Sequence, residues 1–184
     1  MLLITTSHRS SPRVKSFIKD LASVLPGAIR VHRGHKTLKD LALEAHVNGL
    51  KYVLIVKELR GNPHVISVYR VLSEPHIELV KIVDLFLKGV VLSRENPLSS
   101  RIYGVDSVVI DHSKCISSDC FLLADILTLI FHPVIRGNAG LKIILDEERY
   151  IVVKFQNIHG KIVGPVLKVI RVIKGAESEA GNYV

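Results

Sequence analysis

ITTSHRSSPRVKSFIKDLASVLPGAIRVHRGHK, Ile4 to Lys36, holds in order a short apolar strand, a basic turn, an amphipathic helix, a second strand and a second basic turn. The first turn is Ser7-His8-Arg9-Ser10-Ser11. Ser11-Pro12 then opens a helix, because serine caps and proline suits the first helical position. Val14, Phe17, Ile18, Leu21 and Leu25 follow helical spacing, and Arg13, Lys15, Ser16, Lys19 and Asp20 fall on the outer face. Pro26-Gly27 stops the helix, residues 28–31 form the second strand, and the second turn is His32-Arg33-Gly34-His35-Lys36. Both turns leave the C-terminal end of a strand and open a helix. If the two strands are parallel neighbours, both turns lie on one rim of a sheet. Such a rim, with cations, hydroxyls and two helix N-termini, suits phosphate.

Outward from this stretch, Thr37 is expected to cap a second helix, with Asp40 as the far half of a capping box. Leu38, Leu41, Ala42 and Ala45 face inward, and Asn48-Gly49 supplies the exit. A third strand is expected at 52–57, a turn at 59–64 (LRGNPH) and a returning fourth strand at 65–72. Right-handed crossovers make the first three strands parallel, and the tight turn makes the fourth antiparallel. The loops after the first three strands then converge on the edge where open α/β sheets bind ligands.

The remainder reads as strands at 77–83 and 90–92 with 84–88 unassigned, a connector at 94–101 and a strand at 105–110. Ser117 or Ser118 caps a helix that Pro133 ends. Residues 141–145 and 150–155 form a hairpin around Asp146-Glu147-Glu148. Residues 162–173 form a long last strand interrupted by Gly164-Pro165, and the polar tail from Gly175 is expected to fray.

A chain of 184 residues that is 48% apolar can build one ordinary core. Its formal charge of +8 is uneven. Residues 1–75 carry 12 Lys/Arg against 5 Asp/Glu, while residues 76–184 carry 13 against 12. A basic half beside a balanced one points to an acidic partner, nucleic acid above all. Aromatic residues are only 5% and Trp is absent, which argues against a surface built chiefly from base-stacking rings. No signal peptide or run of transmembrane length is present, so the protein is expected to be cytoplasmic with no membrane partner.

The candidate nucleic-acid-binding residues are Ser7, His8, Arg9, Ser10, Arg13, His32, Arg33, Gly34, His35, Lys36, Arg60 and Asn62. Arg33 is read as an exposed guanidinium fork beside free helix N–H groups, so that its loss should barely alter stability. No P-loop, dinucleotide fingerprint, nucleophile elbow or H-E-x-x-H is present, and no catalytic residue is assigned. His8, His32 and His35 lack a Cys or carboxylate to complete a metal site. His112, Cys115 and Cys120 offer only three zinc ligands, and Cys120 is read as a small core hydrophobe. No metal or cofactor is therefore expected.

Residues 4–71 resemble the N-terminal part of a Brix domain. The resemblance rests on Thr5-Thr6-Ser7 with Ser11-Pro12, Pro26 before the second strand, Arg33-Gly34, and Gly61-Asn62-Pro63. His159-Gly160-Lys161-Ile162-Val163-Gly164-Pro165 resembles the family's late Gly-Pro segment, with Val166 where the family often has arginine. The resemblance implies a bare domain of the archaeal type, in one α/β domain over 1–184 with halves near 1–92 and 93–184. Each half would be similar to the anticodon-binding domain of class IIa aminoacyl-tRNA synthetases. The halves would have mixed, mostly parallel sheets flanked by helices and be related by a pseudo-twofold. It also implies a non-enzymatic ribosome-biogenesis factor that binds ribosomal RNA precursors and works with other assembly proteins. The alternatives are a tRNA-anticodon-type module, a protein-interaction scaffold without RNA contact, and a metal-dependent nuclease, for which no carboxylate cluster is present.

Overall fold

The first strand, β1 (Leu2–Thr6), is buried at every residue because helices cover both of its faces. The computed structural model describes residues 2–133 and 140–175. Helix α1 (Pro12–Val24) buries Val14, Phe17, Ile18, Leu21 and Val24, and the Ser11 hydroxyl accepts from the Val14 N–H. Strand β2 (Ala28–Arg30) and helix α2 (Leu38–Val47) follow, and Thr37 with Asp40 forms the expected capping box. Strands β3 (Tyr52–Leu59) and β4 (Asn62–Leu72) make the expected hairpin.

Strand β5 (Glu78–Val91) is continuous, where the sequence left 84–88 unassigned. Val83, Leu85 and Leu87 alternate into the core, so the polar Asp84 falls on the other face. There its carboxylate accepts from the Ser67 hydroxyl at 2.5 Å and pairs with Lys81 at 3.1 Å. After a short 3-10 turn at Ser93–Glu95, strand β6 runs Val108–Lys114, three residues later than expected at its start. Helix α3 (Ser118–Phe131) is capped by Ser117 and ends on a left-handed His132. Strands β7 (Leu141–Glu147), β8 (Ile151–Asn157) and β9 (Ile162–Lys174) complete the fold. The Gly164-Pro165 pair is carried within β9. The fraying expected of the tail lies, from 176 on, outside the described residues.

The strands form one sheet in the order β2-β1-β3-β4-β5-β9-β8-β7-β6. Pairs β1–β2, β1–β3 and β6–β7 are parallel, and the other five are antiparallel. The expected mostly parallel sheets are thus corrected to a single, mostly antiparallel one. Short connections force β3-β4-β5 and β7-β8-β9 into antiparallel meanders, and β5 then joins β9. Helices α1 and α3 share one face and one apolar core drawn from both halves of the chain. Helix α2 packs on the opposite face over β1, β3 and β4.

Cys120 is fully buried in the apolar core, as its place on the helix face leads one to expect, and it is also bonded to Cys115 across the β6–α3 turn, which the sequence reading does not anticipate. The Glu147 carboxylate accepts the Ile116 and Ser117 N–H groups at 2.6 and 2.9 Å. Glu147 is also the group that approaches both sulfurs, whereas His112 turns its ring edge to Phe121.

Several carboxylates hold their folded-state pKa below the ordinary value. Lys142 and then Ser113 do this for Asp111, and the Arg13 guanidinium and then the Leu92 N–H do it for Glu95. A depressed carboxylate stabilises the fold above its unfolded pKa, and that contribution is lost as pH falls through the folded value. The melting temperature is therefore expected to hold between about pH 5 and 7 and to fall below about pH 4. Circular dichroism melts at fixed salt check this, and a melting temperature unchanged down to about pH 2 would contradict it.

Candidate functional site

The parallel pairing of β1 with β2 and β3 places the turns after all three strands on one rim. His8 joins the first two turns. Its Nδ1 lies 3.0 Å from the Gly34 carbonyl and its Nε2 lies 3.3 Å from Arg33 Nη2. One neutral tautomer satisfies both contacts, with Nδ1–H donating to Gly34 and Nε2 accepting from Arg33. Gly34 has φ +51°, the left-handed conformation that lets its carbonyl turn back toward His8. The β3–β4 turn is tied in by the Ser11 hydroxyl, which donates to the Gly61 carbonyl at 2.8 Å. Arg60 is exposed on that turn, and Asn62 donates to the Arg60 carbonyl at 3.3 Å.

Between α1, the first turn and the second turn lies a groove of about 460 Å3. Arg9, Lys15, Arg30, His32 and Arg33 line it together with Ser7 and Ser10, and no carboxylate does. The side chains of Arg9, Lys15 and Arg30 are exposed and have no partner among the described residues. Unpaired cations at the mouth of a concave surface attract anions strongly, because no neighbouring carboxylate cancels their field.

Arg33 differs from its expectation. It is 8% exposed, and its Nε and Nη1 have no hydrogen-bond partner among the described residues. Burial pushes its pKa below the ordinary arginine value, against the opposing pull of Tyr69 and Asp40. It stays a cation. A buried guanidinium with two unused donors is costly by itself and needs an anion to offset that cost.

Three further expectations change. The free helix N-termini are occupied, since Glu58 accepts the Ser11 N–H at 2.6 Å and Asp40 accepts the Thr37 N–H at 2.8 Å. Arg13 is turned away from the groove and held by Glu95, with its Nη2 also donating to the Val90 carbonyl at 3.1 Å. Lys36 pairs with Glu44 at 2.8 Å, which removes much of its free charge. His35 is exposed on the second turn.

Lys15 and Arg30 are absent from the candidates that the sequence suggests, which are turn residues together with Arg13 of α1. The signal was present: Lys15 begins the exposed face of α1, and Arg30 is the last residue of β2 before the basic turn.

No family model matches the chain. A probable Brix domain-containing ribosomal biogenesis protein of Aeropyrum pernix is 36% identical over 174 residues, covering 90% of this chain and 92% of that protein. The protein of the same description from Thermococcus kodakarensis is 32% identical over 157 residues, covering 80% and 71%. The crystal structure of a probable ribosomal biogenesis protein from Aeropyrum pernix superposes with a TM-score of 0.78 at 35% identity, covering 91% of this chain and 94% of that one. An archaeal Imp4-like protein shares the fold at a TM-score of 0.65 and 21% identity, covering 94% and 99%.

Proposed function

The chain belongs to the Brix domain-containing ribosomal biogenesis proteins, and on that premise we propose that it is a non-enzymatic, cytoplasmic factor that binds ribosomal RNA precursors through phosphates at the β1–β2–β3 rim. The observation that carries the reading is Arg33: a buried guanidinium with two unused donors lines a groove that has three unpaired cations and no carboxylate. A backbone phosphate would accept from Arg33 while Arg9, Lys15 and Arg30 held its neighbours along the strand. The Ser7 hydroxyl adds a neutral donor of the kind that fixes register without reading sequence, while Ser10 donates to the Thr6 hydroxyl at 2.9 Å and keeps only acceptor capacity. Other assembly proteins are the expected partners.

The two halves are further proposed to be related by a pseudo-twofold. Strands β1, β3, β4, β5 and strands β6, β7, β8, β9 follow the same order, parallel then antiparallel, and meet at β5–β9. The first half holds one additional strand and helix, β2 and α2, so halves near 1–92 and 93–184 would be unequal copies. A protein-interaction scaffold would have no use for a buried, unpaired arginine, and this observation favours RNA.

If Arg9, Lys15, Arg30, Arg33 and Arg60 each neutralise one phosphate of single-stranded RNA, the log–log dependence of affinity on salt has a slope near about −3.5. Fluorescence anisotropy with a labelled single-stranded ribosomal RNA fragment measures it. A slope near zero would exclude the phosphate reading.

A further inference from the structure

Helix α1 is the wall of two grooves. Lys15 lines the rim groove, and Lys19, one helical turn further on, lines a second groove of about 640 Å3 on the other side of the helix. The far wall of this second groove is the connector from Ser93 to Tyr103, and its floor includes Val24 and Gly164. We propose that this groove is a single-stranded RNA subsite that continues the strand from the rim, with Tyr103 stacking on a base and Lys19, Arg94 and Arg101 holding phosphates. The proposal rests on the RNA reading of the rim and assigns a second place to the same ligand.

Four observations carry it. First, Tyr103 is 80% exposed, more than any other described aromatic residue, so a whole ring face is open beside three cations. Exposed rings beside a basic track are what single strands use, because every base offers a π-face. Second, cations outnumber the one carboxylate in the groove three to one, and that carboxylate, Asp20, is turned to the connector, where it accepts the Ser93 N–H at 2.8 Å. Third, the far wall is fixed rather than loose. The Ser100 N–H donates to the Ile162 carbonyl at 2.8 Å, and Leu98 donates to Asn96 Oδ1 at 3.0 Å. Fourth, Gly164 has φ +65°, and a Cβ there would lie 2.5 Å from Val24 Cγ1. Only glycine lets β9 approach α1 so closely, and that approach sets the floor of the groove. The late Gly-Pro segment read from the sequence thus acquires a place beside the RNA path.

The test compares oligouridylates of about 5 and about 15 nucleotides, the shorter spanning the rim groove and the longer reaching both grooves. The full chain is used throughout. Tyr103→Ala is expected to weaken the longer oligonucleotide about tenfold and the shorter one less than about twofold, with Tyr103→Phe restoring affinity. Arg101→Gln is expected to lower the salt slope for the longer oligonucleotide alone, by about 0.7. If Tyr103→Ala leaves both affinities unchanged while both remain steeply salt dependent, the inference fails and the rim reading stands. If neither oligonucleotide binds the unaltered protein, the rim reading fails and the inference with it. Tyr103-dependent binding of a poly-glutamate peptide as tight as that of RNA would overturn the inference in favour of an acidic protein segment.

Discussion

Replacing Arg9, Lys15 and Arg30 together by glutamine is expected to lower affinity for single-stranded RNA about a hundredfold at about 0.1 M salt, because each lost phosphate contact removes about 0.7 from the salt exponent. The melting temperature should stay where it was. All three side chains are exposed, and none has a partner among the described residues. Substitutions at such sites usually stay within about 0.5 kcal/mol. Net charge alone would also weaken binding, so a control must remove the same charge elsewhere. Lys142 and Lys154 look suitable from the sequence, since they lie in the near-neutral half, but they are not. Lys142 pairs with Asp111 at 2.8 Å and Lys154 with Asp146 at 3.2 Å. Lys51, Arg70 and Lys168 are exposed and do not line the rim groove. Their joint replacement by glutamine should cost several-fold less affinity than the rim triple. Equal losses would move the binding site away from the rim.

Arg33→Glu should unfold much of the protein or cost about 3–5 kcal/mol, the range for an uncompensated buried charge. Arg33→Met should do the opposite. Methionine fills much of the same volume without bringing a buried charge. Removing an unpaired buried cation is expected to leave stability unchanged or raise it by about 1 kcal/mol or more in the absence of ligand. The same variant should bind RNA more weakly. Inorganic phosphate should raise the melting temperature of the unaltered protein and have a smaller effect on Arg33→Met, because a ligand stabilises only the state that binds it. Thermal melts of the three proteins with and without phosphate decide the matter. A clear stability loss in Arg33→Met, with the phosphate effect intact, would show that Arg33 serves packing and not an anion. A sequence reading that takes Arg33 for an exposed loop residue predicts almost no stability change in Arg33→Glu, so the two accounts separate cleanly.

What the sequence makes legible here is local. Ser11-Pro12 and Thr37 with Asp40 announce their helices within a few residues, and the structure carries both caps as read. The common rim follows from two β-α units and the handedness of their crossovers, and it is also found. What escaped depends on partners far away in the chain. Asp84 breaks an apolar pattern until Ser67 on the neighbouring strand is seen to satisfy it. The end of β6, which runs past Ile110 to Lys114, is hard to see because β6 is an edge strand of the sheet, where polar residues such as Asp111 and Lys114 are tolerated. Arg33 is buried with His8 of the first turn 3.3 Å from its Nη2 and with Tyr69 of β4 near enough to act on its charge, and nothing in its own neighbourhood of sequence signals this. Arg13 looks like a free helix-face cation until Glu95, 82 residues away, takes it. Lys15 and Arg30 join the groove only because α1 and β2 stand side by side on β1.

The antiparallel character of the sheet is a different kind of omission. The parallel pairs β1–β2 and β1–β3 come from the β-α-β units legible in the sequence, whereas the parallel pair β6–β7 is not expected from it. The residues alone do not show the second half as a repeat, which only the family resemblance implies, and the junction of two meanders through β5 and β9 follows from neither. That junction gives the two halves a single core, and it brings Gly164 of β9 against Val24 of α1.

The most direct measurement is the salt dependence of RNA affinity for the unaltered protein and for the Arg9, Lys15 and Arg30 triple variant, taken side by side by fluorescence anisotropy. If the rim holds the phosphates, the triple variant flattens the log–log slope by about 2, and the control triple at Lys51, Arg70 and Lys168 flattens it by less than about 0.5. Identical slopes for the unaltered protein and the rim variant would contradict the account.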